Sequence, residues 1–148
     1  MFERIVAAID TDLERLNKIV NAAQELAQAH HSQVLVAHVR GVERPAAVVS
    51  TSGRPGALPP SAHLETDEQA RALVDAAVTQ LKDAGIDASG QVGEGIGSTA
   101  RELLDIAQAY RATLIIVGDR NSRVTDLLLG GVAHRIVHLA ECPVLLVR

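Results

Sequence analysis

Aromatic residues are nearly absent. The 148 residues hold one phenylalanine (Phe2), one tyrosine (Tyr110) and no tryptophan. This excludes the aromatic platforms on which single-stranded nucleic acids stack, and the core has to be built from Val, Ile, Leu and Ala. Cysteine is as scarce. Cys142 stands alone, so no internal disulfide is available, which fits a reducing compartment and a cytoplasmic location. Lysine occurs only at positions 18 and 82, and neither follows a glycine loop, so there is no Walker-type phosphate loop. No G-x-S-x-G nucleophile elbow is present. No apolar run approaches the roughly 20 residues needed to span a bilayer. Glu3 and Arg4 interrupt the N-terminal stretch, and no signal-peptide core follows. The net charge of −4 lacks the basic excess that a nucleic-acid partner calls for. Neither nucleic acid nor membrane is expected as a partner.

What remains is a globular composition, 47% hydrophobic and 22% charged, of a length that suits one domain over residues 1–148. Residues 4–9 (RIVAAI) form a short β-branched run, expected as a buried strand. Thr11 and Glu14 have the spacing of a capping box, and Leu13, Leu16, Val20, Ala23 and Ala27 recur at helical intervals to about His30. Residues 34–39 (VLVAHV) read as a second strand. Residues 41–64 hold four of the five prolines and read as a long irregular loop, either functional or a tolerated insertion. Thr66 with Gln69 opens a second helix, striped by Ala70, Leu73, Val74, Ala77 and Leu81 and ended by Gly85. A weaker strand is expected over 86–92. Thr99 with Glu102 then opens a helix carrying Leu103, Ile106 and Ala107 inside. Residues 114–117 (LIIV) form a fourth strand, a helix follows from about 125 to 139, and Pro143 introduces the last strand, Val144–Val147.

Continuous apolar strands alternating with amphipathic helices specify a parallel sheet covered on both faces. With right-handed crossovers the expectation is one doubly wound α/β layer, five strands in the order 3-2-1-4-5. Ligands of such sheets bind beyond the carboxyl ends of the strands where strand order reverses. Here the first and fourth strands flank that point, and Asp10 and Gly118 sit at their ends.

From Gly118 the chain reads GDRNSRVTDLLLGGVAHRIVHLAECPVLLV. With AAID at the first strand end, AHV at the second and GEGIGSTARELLDIAQAYRATLIIVG before the loop, it resembles the universal stress protein family over nearly the whole chain apart from the loop after Gly41. Nucleotide-binding members of that family carry G-x-x-G, nine residues, then G-[S/T]. Gly118 matches the first glycine and Asn121 stands at the second. Gly130 as the third leaves eight residues between and puts Gly131 in the hydroxyl position; Gly131 as the third restores the spacing and puts Val132 there. Either way the phosphate hydroxyl is missing. Backbone N–H groups at the loop and the helix N-terminus still suit phosphate. Arg120 and Arg123 either add charge-assisted contacts or are solvated loop residues. The resemblance implies ribose and adenine contacts at Asp10 and near Ala8 and Val39; Asp10 alternatively supports the cap of the first helix.

Other constellations point elsewhere. Gly93-x-Gly95-x-Gly97 lacks dinucleotide-loop spacing and reads as a flexible strand–helix loop. His134 and His138 are four apart without a third ligand, so no metal is expected. His38 reads as a hydrogen-bonded core histidine and Cys142 as a packed thiol. The crevice has no obvious general base or nucleophile. The expected function is therefore that of a non-enzymatic stress-response module binding ATP or AMP, with slow ATP hydrolysis as a distant third possibility. No cofactor is expected to be needed for folding. The alternative is a stress-response dimer without a nucleotide, acting through protein contacts. Val144–Val147 (VLLV) is too apolar for an open edge, so a homodimer through that strand is expected.

Overall fold

The computed structural model describes residues 1–41, 65–96, 98–119 and 131–148. The proline-containing segment 42–64, Gly97 and residues 120–130 lie outside the described residues. The elements run β1 (Arg4–Ala8), α1 (Leu13–His30), β2 (Gln33–Gly41), α2 (Asp67–Asp83), β3 (Asp87–Gly95), α3 (Thr99–Tyr110), β4 (Leu114–Gly118), α4 (Val132–Leu139) and β5 (Val144–Val147). The strands form one parallel sheet in the order β3-β2-β1-β4-β5, as the alternating pattern requires.

The central strands are apolar where both faces are covered, at residues 5–8, 34–37 and 114–117. Ile5, Ala7, Val34, Val36, Leu114 and Ile116 turn toward α1 and α2. Val6, Ala8, Leu35, Ala37, Val39, Ile115 and Val117 turn toward α3 and α4. The strand period of two thus divides the apolar side chains between two cores.

The helix starts differ from the sequence expectation at two of three sites. The cap of α1 is Asp12, not Thr11: its carboxylate accepts from the Arg15 amide at 3.1 Å. The cap of α3 is Ser98, not Thr99, and accepts from the Arg101 amide at 3.2 Å. In both places two capping residues stand side by side, and spacing alone does not choose between them. The box at Thr66 forms in full, with Gln69 N–H to Thr66 Oγ1 at 3.1 Å and Thr66 N–H to Gln69 Oε1 at 2.9 Å. Leu13 is 64% exposed, and Ile19 belongs to the buried stripe in its stead. Gly85 ends α2 with φ +80°, as expected.

β2 and β3 are longer than expected, and β3 takes in Gly93 and Gly95. These glycines are strand residues rather than loop residues. A Cβ at Gly93 would lie 3.0 Å from Glu102, and one at Gly95 would lie 2.9 Å from Val39 and 3.2 Å from Thr99. The missing side chains let α3 close onto the edge strand. Ile116 has no exposure, and its substitution by alanine opens a cavity between α1 and the sheet centre. Ile116→Ala is expected to cost about 2–5 kcal/mol, read as a lower urea midpoint at unchanged slope.

Candidate functional site

β1 and β4 are parallel neighbours, and the connections leaving them pass to opposite faces, α1 to one and α4 to the other. Open α/β sheets take their ligands beyond the carboxyl ends of two such strands, a place that here lies past Ala8 and Gly118. The chain stays extended just past each strand. Ile9 N–H donates to the Ala37 carbonyl at 2.9 Å, and Asp119 N–H donates to the Val147 carbonyl at 2.8 Å.

Asp10 is the first residue after this extension. Its Oδ1 accepts from the Asp12 amide at 2.8 Å, and its Oδ2 accepts from Arg15 Nε at 2.9 Å. Arg15 Nη1 lies 3.4 Å from Asp12 Oδ2. The hydrogen bond that Arg15 donates to Asp10 raises the guanidinium above its already high ordinary value, so the cation persists at any working pH. Arg15 also bridges the two strand ends: its Cδ lies 3.1 Å from where a Cβ at Gly118 would stand. Gly118 is a glycine because Arg15 and Ile19 fill the space beside it. Sequence reasoning missed Arg15. The signal was available once Asp12 is taken as the cap, because the third helical residue then reaches back toward the strand ends.

A second polar contact holds the end of β1. His38 is 4% exposed, and its Nδ1 lies 3.0 Å from the Ile9 carbonyl oxygen. A carbonyl only accepts, so Nδ1 carries a proton and donates it. Nε2 faces Glu65 Oε2 at 2.6 Å, which requires one further proton between the two atoms. The expected core histidine is thus present, with a partly buried carboxylate partner that sequence spacing did not reveal.

Ala8 and Val39 are buried on the α3–α4 face, Ala8 in register with Val117 of β4 and Val39 packed toward Gly95. Gly131 is the N-terminal cap residue of α4, with φ −58° and, among the described residues, no side-chain cap bond and no atom within 4 Å of where a Cβ would be. Val132 follows as the first helical residue. The amides of the first turn of a helix have no acceptor within it, so they are available to a ligand. Arg120, Asn121, Arg123 and Gly130 lie outside the described residues. Away from the crevice, the His134 and His138 rings pack edge to face, 4.4 Å between centroids. Burial pushes the Cys142 thiol above its ordinary value, in keeping with a packed thiol.

The universal stress protein family model matches residues 1–148. The chain belongs to the universal stress protein family. Universal stress protein YxiE of Bacillus subtilis is 31% identical to it over 156 aligned positions, covering all of both chains. Among solved structures, a universal stress protein in complex with cAMP superimposes with a TM-score of 0.70 at 21% identity, over 99% of this chain and 97% of that one. The Archaeoglobus fulgidus universal stress protein in complex with dAMP gives 0.68 at 20% identity, over 100% and 98%. At such identities these structures speak for the fold. No helix among the described residues is long and apolar enough to cross a membrane.

Removing the imidazole of His38 leaves the Ile9 carbonyl and the Glu65 carboxylate without it in a buried place. His38→Phe is expected to destabilise by at least about 2 kcal/mol, because stranded buried polar groups carry their full desolvation cost. Glu65→Gln, whose amide can donate to a neutral Nε2, should cost clearly less. Urea unfolding of the two variants checks the order.

Proposed function

We propose that this universal stress protein binds an adenine nucleotide in the crevice beyond β1 and β4 and acts as a stress-response binding module. The observation that carries the reading is the junction of Asp10, Arg15 and Gly118. It puts a fixed carboxylate at the strand-order reversal, where open α/β sheets take their ligands. The cAMP and dAMP complexes of two proteins of the same fold support adenine nucleotides as the ligand class. In this reading Asp10 accepts from the ribose hydroxyls, and Ala8 and Val39 border the adenine through their backbone. Gly118, Gly131 and Val132 offer backbone N–H groups to phosphate, where the positive end of the α4 dipole adds attraction. Arg120, Asn121, Arg123 and Gly130 complete the proposed phosphate contacts. ATP and AMP are the candidate ligands, and the role is binding rather than turnover. A single cysteine and the absence of a membrane-crossing helix among the described residues support a cytoplasmic location.

The same reading includes a homodimer through β5. Among the described residues β5 lies at one edge of the sheet and pairs with β4 alone. Leu145 and Leu146, on opposite faces of β5, are 37% and 40% exposed, and Val137 and Leu139 on α4 are exposed nearby in sequence. A second β5 pairing antiparallel across a two-fold axis would cover both the unpaired backbone and these side chains. Leu146→Glu is expected to shift the protein from dimer to monomer in sedimentation equilibrium at micromolar concentration. A wild-type monomer, with or without ATP, would refute the pairing.

The missing phosphate hydroxyl provides a direct test of the nucleotide. The negative φ of Gly131 suits serine, and among the described residues nothing lies within 4 Å of its Cβ position. A hydrogen bond to a charged group is worth about 1.5–3 kcal/mol, so Gly131→Ser should tighten ATP binding by about tenfold or more in isothermal titration. If the wild type and Gly131→Ser are both silent at millimolar ATP, the nucleotide-free dimer replaces this reading.

A further inference from the structure

We propose that Arg15 is a positioning residue that fixes the Asp10 carboxylate as a two-oxygen acceptor for a ribose 2′,3′-diol, making the crevice selective for ribonucleotides over 2′-deoxyribonucleotides. This rests on the nucleotide reading above and adds a sugar specificity and the residue that sets it.

An ionised carboxylate has about four acceptor positions, two on each oxygen. Among the described residues Asp10 uses one on each: Oδ1 takes the Asp12 amide at 2.8 Å and Oδ2 takes Arg15 Nε at 2.9 Å. One acceptor position is left on each oxygen. That is the pattern a cis-diol fills, since its two hydroxyls donate side by side to the two oxygens of one carboxylate. A 2′-deoxyribose fills only half of it.

The backbone bond from Asp12 fixes a single oxygen and leaves the carboxylate plane free to turn about it. The Arg15 bond fixes the second oxygen and so the plane. Arg15 is itself restrained at two places, at Asp10 and at Asp12 Oδ2 3.4 Å away, and it occupies the space beside Gly118, where a Cβ would lie 3.1 Å from its Cδ. Its side chain and that of Asp10 are 23% and 22% exposed, so the pair is less screened than one in open solvent. A guanidinium with these restraints orients a carboxylate better than a flexible ammonium does.

The test titrates AMP and 2′-deoxy-AMP into the wild type, Arg15→Lys, Arg15→Met, Asp10→Ala and the Asp10→Ala/Arg15→Met double variant, with thermal melting as a check on folding. The wild type is expected to prefer AMP by about tenfold, the worth of one hydrogen bond to a charged group. Arg15→Met should bring the two affinities close to equal by weakening AMP while leaving 2′-deoxy-AMP nearly unchanged. Arg15→Lys should keep part of the preference. In the Asp10→Ala background, Arg15→Met should have no further effect on the ratio. A merely structural role for Arg15 would weaken both nucleotides in parallel and leave the ratio alone. That result, or a wild type that binds both equally, overturns the assignment while nucleotide binding stands. If neither nucleotide binds the wild type, the nucleotide reading fails and the assignment fails with it. Should Arg15→Met not fold, the ratio in Arg15→Lys decides: an unchanged preference overturns the proposal, and a reduced one supports it.

Discussion

Burial of β1 and β4 on both faces is the constraint from which the rest of the structure follows. Strands covered on both sides have no polar face, so the groups that deal with water and ligands are pushed to the strand ends. The right-handed crossovers then put the connection from β1 on one side of the sheet and that from β4 on the other. At the ends of these two strands the chain brings together a carboxylate, a guanidinium and a glycine.

Polar contacts at that point do work that the apolar core cannot. Hydrophobic packing is non-directional and sets where β1 lies but not how its last residues are turned. Those are turned by two side-chain networks. His38 and Glu65 hold the Ile9 carbonyl from the β2 and α2 side. Arg15 and the Asp12 amide hold the Asp10 carboxylate from the α1 side. Adjacent residues at the end of one strand are therefore anchored to different elements. Such double anchoring holds the end of β1 in one arrangement.

Close approach is the other recurring device. Gly93 and Gly95 let α3 settle on the edge strand, and Gly118 leaves room for the Arg15 side chain beside the end of β4. In all three the glycine is there for lack of a side chain and not for backbone freedom. From sequence, Gly93 and Gly95 have the look of a flexible loop. Composition cannot distinguish a residue that bends the chain from one that makes room for a neighbour, because the neighbour is distant in sequence.

The sequence by itself determined the element order, the parallel sheet and its strand order, and the two-faced core. Each of these follows from local periodicity and chain connectivity, which survive without coordinates. Family membership was legible in the same way, through motifs from AAID at the first strand to CPVLLV at the last. Tertiary structure decided the choice between adjacent capping residues at α1 and α3, the extent of β3, and above all the partners of Asp10 and His38. Arg15 is five residues from Asp10 and Glu65 is 27 residues from His38. Neither pairing is favoured by a period or a motif. They arise because a helix start and a strand end converge on the same side of the sheet, and that convergence is a property of packing that no stretch of the chain encodes alone.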